Sequence, residues 1–322
     1  MNIIVLDLEW NQNSGGKKER IINKPIFEII EIGAVKLNEN YEIVDKFSQL
    51  IKPQIYHTMH KITADLINLQ MKELNKGKSF PEVMDEFMKW CGEDYMFATW
   101  GPLDLLELQR NISYYQLIPL SDGPIKFYDV QKLFSLEAIK EKTRKTLEFA
   151  IDYFQIEKDI PFHRAFSDAY YTAKVFQKIV NPEILKYVSF DTYHIPKTRK
   201  EEIKAIFPGY YKYISRGFET KSEIMSDREV SSTKCYLCHK NLKKIFRWYT
   251  PNGKNYYSIS NCDVHGFIKY KVRLKKSEFG MYYAIKTSKF ITEEKMKKLQ
   301  EEWNKEKEVK KMKARNIKKP NH

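Results

Sequence analysis

The amino-acid sequence predicts an α/β protein whose larger part is a mixed β-sheet flanked by helices. Three apolar runs rich in β-branched residues, IIVLDLEW, EIIEIGAVKLN and EIVDKFSQLI, follow one another with polar connections and indicate three consecutive strands. Segments with helical and strand periodicity then alternate as far as Val180. A strand meander followed by alternating helices and strands is typical of a sheet covered by helices.

The other elements of this larger part are predicted in order along the chain. The segment NQNSGGKKER forms a polar, glycine-containing loop after the first strand. Thr63 is expected to cap a helix over ADLINLQ, and Ser79 to open a helix over PEVMDEFMKWC. YMFATW and IKFYDV are short strands separated by a helix over LDLLELQRNISYYQL, and TLEFAIDYF and FSDAYYTAKVFQKIV are periodic helices.

Composition divides the chain into four predicted regions. They are an α/β domain over residues 1–182, a connecting region over 183–233 that ends in a polar linker near 226–233, a small zinc-ribbon-like β domain over 234–290, and a charged helix with a basic tail over 291–322. No internal repeat is evident. A length of 322 residues is enough for two or three such domains.

Charge is distributed unevenly between the two halves of the sequence. Residues 1–180 contain 23 Lys and Arg against 26 Asp and Glu, whereas residues 181–322 contain 33 against 16. A strongly basic region attracts nucleic acid by releasing counterions. The alternative is a lysine-rich surface that only keeps the protein in solution.

The sequence also favours a cytoplasmic location. It contains no apolar run of the roughly 18 residues needed to cross a bilayer, so no membrane contact is expected. Its first residues, MNIIVLDLEW, lack the basic segment and cleavage site of a secretory signal. In a reducing compartment the four cysteines are expected to be thiols or metal ligands rather than disulfides.

Two carboxylates in the first strand require an explanation. Because side chains alternate along a strand, Asp7 and Glu9 share one face while Leu6, Leu8 and Trp10 share the other. Two unpaired carboxylates on a buried face repel each other and cost several kcal/mol in desolvation. A positive partner, either basic side chains or metal ions, must therefore lie between them.

Three further polar residues stand at the ends of predicted elements. Asp104 follows the YMFATW strand in TWGPLD, and His163 precedes Asp168 in HRAFSDA, at the start of a helix. Four acids and a histidine without a dedicated arginine suit two hard divalent cations, because Mg²⁺ and Mn²⁺ prefer carboxylate oxygens. Two such ions can clamp the attacking and leaving oxygens of a phosphoryl displacement.

These motifs resemble the DEDDh family of 3′–5′ exonucleases, which have a ribonuclease H-like fold. DLE at Asp7–Glu9, TWGPLD at Asp104 and HRAFSDA at His163–Asp168 resemble its three motifs. The segments HKITADL, YDVQKLF and TLEFAIDYFQI are similar to the Eri-type branch, which includes histone-mRNA exonucleases. The resemblance covers residues 1 to about 182.

The resemblance implies a role for each motif residue. Asp7, Glu9 and Asp168 would hold one metal ion, Asp7 and Asp104 would reach a second, and His163 would be the general base. An imidazole with an ordinary pKa near 6.5 suits proton removal at neutral pH. The alternatives are that the acids are surface or capping residues, or that the fold is kept without turnover.

Residues beside the motifs are candidates for contact with substrate. The family likeness places Leu8 and Trp10 near the terminal base, and stacking on an aromatic contributes about 1–3 kcal/mol. For Trp10 the favoured alternative is a place in the core. Thr63 either contacts the terminal nucleotide or only caps its helix.

Cysteine and histidine spacing predicts a second metal site. Cys235 and Cys238 form a CxxC pair, Cys262 and His265 form a CxxH pair, and four such ligands complete a closed tetrahedral zinc shell. This site is expected to be structural. His239 is an alternative fourth ligand, and Cys91 is expected to be a buried thiol outside the site.

Between these two pairs, KKIFRWYTPNGKNYYSIS predicts a β-hairpin that turns at Pro251-Asn252-Gly253. Arg247, Trp248 and neighbouring tyrosines place aromatic rings beside basic residues, a pattern that suits single-stranded nucleic acid. The alternative is that these rings build the core of the small domain.

Together these features predict a metal-dependent 3′–5′ exonuclease that releases nucleoside monophosphates from single-stranded nucleic acid. The Eri-type resemblance favours RNA over DNA as the partner. A DNA-trimming exonuclease is the alternative within the same chemistry. A regulatory adaptor that binds RNA or protein through the basic zinc module is the alternative from another class.

Overall fold

The computed structural model describes residues 1–13, 25–67, 69–141 and 143–317. These residues fold into two compact units, Met1–Tyr193 and His194–His322. Most of the predicted NQNSGGKKER loop lies outside the described residues, as does the end of the predicted basic tail. Within the described residues, no helix combines the length and the apolar character needed to cross a bilayer.

The first unit is built on a six-stranded mixed sheet. Its strands are β1 (Asn2–Gln12), β2 (Phe27–Leu37), β3 (Ile43–Leu50), β4 (Tyr95–Thr99), β5 (Ile125–Asp129) and β6 (Ser189–Asp191). They lie in the order β3-β2-β1-β4-β5-β6, with β1–β3 antiparallel, β4 parallel to β1, β5 parallel to β4 and β6 antiparallel to β5. This arrangement confirms the predicted meander and mixed sheet, and it places β1 between β2 and β4.

Seven helices accompany this sheet among the described residues. They are α1 (Lys61–Ile67), α2 (Met71–Leu74), α3 (Phe80–Cys91), α4 (Leu103–Tyr114), α5 (Val130–Phe134), α6 (Leu147–Tyr153) and α7 (Ala165–Ile179). A π-helical turn over Ser135–Ile139 and a 3₁₀ turn over Ile184–Lys186 complete the unit. Ser79 begins α3 with a capping box that also uses Glu82, as its position before Pro81 predicts.

Alternating apolar residues of β1 build two cores, one on each face of the sheet. Ile4, Leu6 and Leu8 pack with α3 and α4. Ile3 and Val5 pack on the opposite face with α5, α6 and α7. The predicted α/β architecture is therefore observed, and Asp7 and Glu9 continue the face that α7 covers.

The second unit is a six-stranded antiparallel sheet with three helices among its described residues. Its strands are β7 (Ile203–Phe207), β8 (Tyr210–Ile214), β9 (Lys244–Tyr249), β10 (Asn255–Cys262), β11 (Gly266–Lys276) and β12 (Tyr282–Phe290), in the order β7-β8-β12-β11-β10-β9. Its helices are α8 (Lys221–Ser226), α9 (Arg228–Ser231) and α10 (Glu293–Ile317).

The two faces of this second sheet are covered differently. Ile224 of α8 and Val230 of α9 pack with Val272 and Leu274 on what we call the inner face. On the outer face, Met296 and Trp303 of α10 pack against Phe246 and Ile259. The predicted hairpin is observed as β9 and β10, and the predicted charged helix as α10.

The predicted region 183–233 is divided differently in the structure. β6 completes the first sheet, whereas β7 and β8 form a hairpin at the edge of the second sheet. The predicted linker near 226–233 is wrong, because these residues contain α9. Asp227 caps α9 by accepting hydrogen bonds from the backbone N–H groups of Glu229 and Val230, at 2.8 and 3.2 Å.

Candidate functional site

The candidate active site is centred on Asp7 and Glu9 of β1. The register shifts between Glu9 and Trp10, so a β-bulge ends the regular pairing of β1 with β2 beside these carboxylates. Bulges are over-represented next to active sites because they redirect side chains. Both acids stand on the α7 face of the sheet, as the alternation of the sequence predicts.

Asp168 comes to the same place because α7 begins very close to β2. Gly33 pairs with Asp7 across the two strands, and a Cβ atom at Gly33 would lie 2.0 Å from the backbone of Ala165 and Phe166. Only glycine permits this approach. As a result, ligand oxygens of Asp7, Glu9 and Asp168 all lie within 4.8 Å of one another.

Asp104 approaches from the other side of β1, in the first turn of α4. Its carboxylate accepts hydrogen bonds from its own backbone N–H and from the backbone N–H of Leu8. Asp104 lies outside the 4.8 Å group, yet its charge is among the causes that raise the pKa of Asp7. The structure therefore brings three predicted carboxylates together and places the fourth beside them.

Burial and mutual repulsion change the protonation of these acids. Burial, then the charges of Asp104 and Asp168, raise the pKa of Asp7 well above its ordinary value. Burial, then the charge of Asp168, raises the pKa of Glu9 to about 8. Burial raises the pKa of Asp104 to about 7, although hydrogen bonds from backbone N–H groups lower it. Among the described residues, the positive charges of Arg164 and His163 lower the pKa values of Glu9 and Asp168 by less than burial and repulsion raise them.

The donor set fits hard divalent cations. Burial raises the pKa of Asp168, and its Oδ1 atom is buried without a hydrogen-bond partner among the described residues. An unpaired buried carboxylate oxygen is costly unless a cation or solvent pairs with it. Three convergent carboxylates with one such oxygen are the ligands that Mg²⁺ and Mn²⁺ prefer.

His163 lies in the loop before α7 and is exposed, with a backbone φ of 61°. Its backbone N–H donates to the Asp168 carboxylate, and its charge lowers the pKa of that acid against the effect of burial. The loop is held by Tyr171, whose hydroxyl donates to the Ile160 carbonyl at 2.7 Å and whose ring stacks on Phe162 at 4.7 Å. His163 is therefore solvent-accessible and close to Asp168, one of the three clustered acids.

The sequence analysis does not predict one ion pair that lies beside the cluster. Glu31 faces Glu9 across β1 and β2 and is 1% exposed. Arg164 binds it through two hydrogen bonds, Nε to Oε2 at 3.0 Å and Nη2 to Oε1 at 2.8 Å. This pair fixes the residue after His163 to the sheet. The signals were a carboxylate inside the apolar run EIIEIGAV and an arginine next to the histidine.

The candidates for substrate contact around Trp10 are placed mainly in the fold. Leu8 is 3% exposed and its side chain packs in the core, which contradicts its predicted contact with a base. Trp10 is half-buried and lies against Phe27, with ring centroids 5.3 Å apart. Thr63 lies inside α1 rather than before it, so the predicted cap is wrong, and its hydroxyl donates to the Trp10 carbonyl at 3.3 Å.

Four predicted ligands converge in the second unit. The ligand atoms of Cys235, Cys238, Cys262 and His265 all lie within 4.8 Å of one another. Cys238 Sγ is 3.7 Å from Cys262 Sγ, and His265 Nδ1 is 3.5 Å from Cys235 Sγ. A tetrahedral zinc shell with bonds of about 2.3 Å to sulfur and 2.0–2.1 Å to nitrogen requires ligand separations of this size.

The local backbone supports this cluster. Burial opposes ionisation of Cys262, but a hydrogen bond from His265 and backbone N–H groups lower the pKa of its thiol to about 6. A thiolate is the form that binds zinc. His239 lies outside the four-ligand group. Cys91 is 2% exposed, as predicted, and burial raises the pKa of its thiol to about 12.

The predicted aromatic platform on the β9–β10 hairpin is not observed at Trp248. Its indole N–H donates to the Ser231 carbonyl at 2.9 Å, and its ring packs against Tyr270 on the inner face. Trp248 is therefore part of the core of the second unit. Arg247, in contrast, is exposed.

The mixed sheet and its carboxylates indicate a nuclease of the ribonuclease H-like class. Comparison with known proteins agrees with this class. The RNase_T family model, described as an exonuclease, matches residues 4–176. The chain belongs to this exonuclease family, and the resemblance to the DEDDh 3′–5′ exonucleases is confirmed.

Individual relatives are about a fifth identical to this chain over the residues that align. A PolC-type DNA polymerase III of Oceanobacillus iheyensis is 23% identical over 165 residues, which are 51% of this chain and 11% of the polymerase. The "Probable 3′–5′ exonuclease KapD" of Bacillus subtilis is 22% identical over 182 residues, 55% of this chain and 84% of that protein. The nuclease domain of 3′hExo, a DEDDh family member solved with rAMP, is 20% identical with a TM-score of 0.47, covering 55% and 90% of the two chains.

Proposed function

We propose that this protein removes nucleoside monophosphates from the 3′ end of single-stranded nucleic acid, with RNA preferred over DNA. The observation that carries the proposal is the convergence of Asp7, Glu9 and Asp168 within 4.8 Å around an unpaired buried carboxylate oxygen. Membership in the exonuclease family supports the reaction. The preference for RNA rests on the Eri-type resemblance of the sequence.

The carboxylates are assigned to two divalent cations, Mg²⁺ or Mn²⁺. Asp7, Glu9 and Asp168 would hold one ion, and Asp7 with Asp104 would reach the other. When bound, the two ions would stabilise the negative charge that develops on the attacking and leaving oxygens. Their binding would also displace the protons that burial and repulsion keep on the acids at neutral pH.

His163 is assigned as the general base. Its exposed imidazole accepts a proton from water, whose oxygen forms a new bond to the phosphorus of the terminal nucleotide. The bond from that phosphorus to the 3′ oxygen of the preceding nucleotide breaks. The 3′ oxygen takes up a proton, so the products are a nucleoside 5′-monophosphate and a chain shortened by one nucleotide.

The neighbouring residues orient this machinery. The Glu31–Arg164 pair fixes the start of α7, and the contacts of Tyr171 fix the preceding loop. Together they hold His163 beside Asp168. Leu8 contributes through its backbone N–H, which donates to Asp104, rather than through its side chain.

The Cys235, Cys238, Cys262 and His265 cluster is assigned to one structural Zn²⁺. It joins the turn before β9 to the turn between β10 and β11. All four positions of a tetrahedral shell are supplied by the protein, so this site leaves no position for substrate.

Matched single-stranded RNA and DNA oligonucleotides, labelled at the 5′ end, test this function. With Mg²⁺ or Mn²⁺ we expect a ladder that shortens from the 3′ end, faster for RNA than for DNA, and absent with Asp7→Asn. Oligonucleotides that stay intact under every metal condition while still binding tightly would refute the nuclease and favour the adaptor. A faster ladder on DNA would instead favour the DNA-trimming enzyme.

A further inference from the structure

One strand of the second unit presents a continuous row of basic side chains. Along β11, alternate residues are buried on the inner face: Ile268, Tyr270, Val272 and Leu274. The residues between them point to the outer face, and all of them are basic: Lys269, Lys271, Arg273 and Lys275. Lys271 and Arg273, in the middle of the row, are exposed.

The strand register is strongly fixed, because a shift of one residue would bury four charges and expose four core residues. β11 pairs continuously with β10 on one side and β12 on the other. Residues that share a strand face repeat at about 6.6–6.8 Å. The sheet therefore holds a rigid line of positive charges at regular intervals.

The neighbouring strands supply no acidic partner for this row, and the nearest acidic influence is the charge of Glu302 of α10 on Lys269. The outer-face partners across the β10 and β12 ladders are Asn255, Tyr257, Ile259, Tyr283, Ile285, Thr287 and Lys289, none of which is acidic. Among the described residues, no carboxylate lies within ion-pair distance of the four basic side chains of β11. Like charges held this close repel one another and destabilise the folded unit.

An aromatic ring accompanies the charges. Tyr257 of β10 is half-buried and pairs with Lys271, and the Nζ atoms of Lys269 and Lys271 lie 5.1 and 5.8 Å from its ring centroid. Tyr249 of β9 lies beside it, with ring centroids 5.8 Å apart. We call Lys269, Lys271, Arg273, Lys275 and Tyr257 the basic face.

We propose that the basic face binds single-stranded nucleic acid, with the β11 side chains along the phosphates and Tyr257 against a base. A polyanion supplies the charge that this row lacks. A sheet surface with an aromatic ring between cations suits unstacked bases, which a duplex does not present. The choice of ligand rests on the proposed function, but the basic face belongs to the second unit and the carboxylate cluster to the first.

The test compares two triple variants that each lose two lysines and one arginine. The first is Lys271→Gln, Arg273→Gln and Lys275→Gln, on the basic face. The matched control is Lys200→Gln, Lys221→Gln and Arg228→Gln, at exposed positions that include α8 and α9 on the inner-face side. Both are made in full-length protein that also carries Asp7→Asn, so that the probe is not degraded.

Binding of a fluorescent 20-nucleotide single-stranded RNA is measured between 50 and 300 mM KCl. Three lost phosphate contacts should make the slope of log affinity against log salt shallower by about 2. Affinity near 100 mM KCl should fall at least about tenfold, whereas the control keeps both values close to those of the parent. Tyr257→Leu should weaken binding about tenfold without changing the slope.

Several outcomes would overturn the proposal. They are an unchanged salt slope in the basic-face variant, an equal loss in the control, or preferential binding of a matched duplex. If the basic-face variant loses binding to vesicles of 30% phosphatidylserine but keeps the RNA affinity of the parent, the face binds membranes instead. If the triple variant melts early, Arg273→Gln alone should still reduce the slope by about 0.7.

Failure of this inference differs from failure of the proposed function. With Asp7 intact, the matched control variant should still shorten labelled RNA at the parental rate. A parent that degrades nothing, combined with the expected change in slope, would refute only the nuclease. Normal degradation with an unchanged slope would refute only the basic face.

Discussion

The two units of this protein gather charge in opposite ways. Residues 1–193 contain 24 Lys and Arg against 28 Asp and Glu, and they bury a cluster of carboxylates. Residues 194–322 contain 32 against 14 and display a row of cations. In the first unit, Arg164 lies close to the cluster but is already bound to Glu31. Each unit therefore leaves a charge that a ligand from outside can balance.

The two candidate metal sites also differ in how far the protein itself supplies their ligands. Oxygen ligands from β1 and α7 converge without filling a coordination shell, which suits hard cations that share positions with water and phosphate. Sulfur and nitrogen ligands from two turns would fill a tetrahedral shell completely. We therefore expect the first cluster to support the reaction and the second to support only the fold.

The largest effect is expected from Cys238→Ser. Structural zinc sites contribute apparent binding free energies of about 10–16 kcal/mol, so loss of one ligand should release zinc and unfold the second unit. Zinc content by mass spectrometry and two-step thermal melting will show this. The melting step of the first unit should stay in place, and a variant that keeps its zinc would contradict the assignment.

His163→Ala should lower kcat by about 10²–10⁴-fold, because general-base catalysis contributes this much. The exposed imidazole is not part of the core, so the melting temperature should change little. The pH profile of the residual activity is the decisive readout, since it should lose the limb that reports ionisation of the base. A variant that retains this limb would assign the base elsewhere.

Glu31→Gln should have a smaller effect on stability. Breaking a fully buried ion pair costs about 3–5 kcal/mol, but the Arg164 side chain is 35% exposed and can be hydrated, so the loss should stay below that range. Denaturant unfolding measures it. Since Arg164 follows His163, kcat should fall while RNA affinity is kept. An unchanged kcat would show that the pair supports only the fold.

The pH dependence of stability should be the most modest effect. Glu9, with a pKa of about 8, and Asp104, with a pKa of about 7, hold protons in the folded state that the unfolded chain releases near pH 4. Their contribution to stability therefore falls as the pH rises from about 4 to 8. Mg²⁺ should raise the melting temperature more at pH 8 than at pH 6.

Glu9→Gln is the control for this effect. In magnesium-free buffer, the stability of this variant should fall less between pH 4 and pH 8 than the stability of wild type. A larger stabilisation by Mg²⁺ at pH 6 than at pH 8 would contradict the predicted direction.

Local patterns in the sequence predict much of this structure. The two-residue period of β1 places Asp7 and Glu9 on one face, and the spacing of two short pairs places the cysteines and His265 together. Contacts between distant residues are not encoded this way. The Glu31–Arg164 pair spans 133 residues, and Gly33 is required only because α7 passes over it.

The strands in region 194–233 are not predictable from local sequence for a related reason. Its strands are short, and Pro208-Gly209 resembles an irregular loop, although it is the turn of the β7–β8 hairpin, with Gly209 at φ 81°. Tertiary pairing with β12, rather than local propensity, makes β8 a strand. The inward orientation of Trp248 is also not predictable from the sequence, because a bulge in the β9–β10 pairing changes which side chains point to which face.

The most direct test of the account is to measure bound Mn²⁺ and RNA degradation in the same samples of wild type and Asp168→Asn. Electron paramagnetic resonance counts the bound ions, and a 5′-labelled single-stranded RNA reports the reaction. We predict that wild type binds Mn²⁺ and shortens the RNA from its 3′ end, and that Asp168→Asn folds, keeps its zinc and loses both properties. Mn²⁺ binding and degradation that survive this substitution would contradict the assignment of the carboxylate cluster as the catalytic metal site.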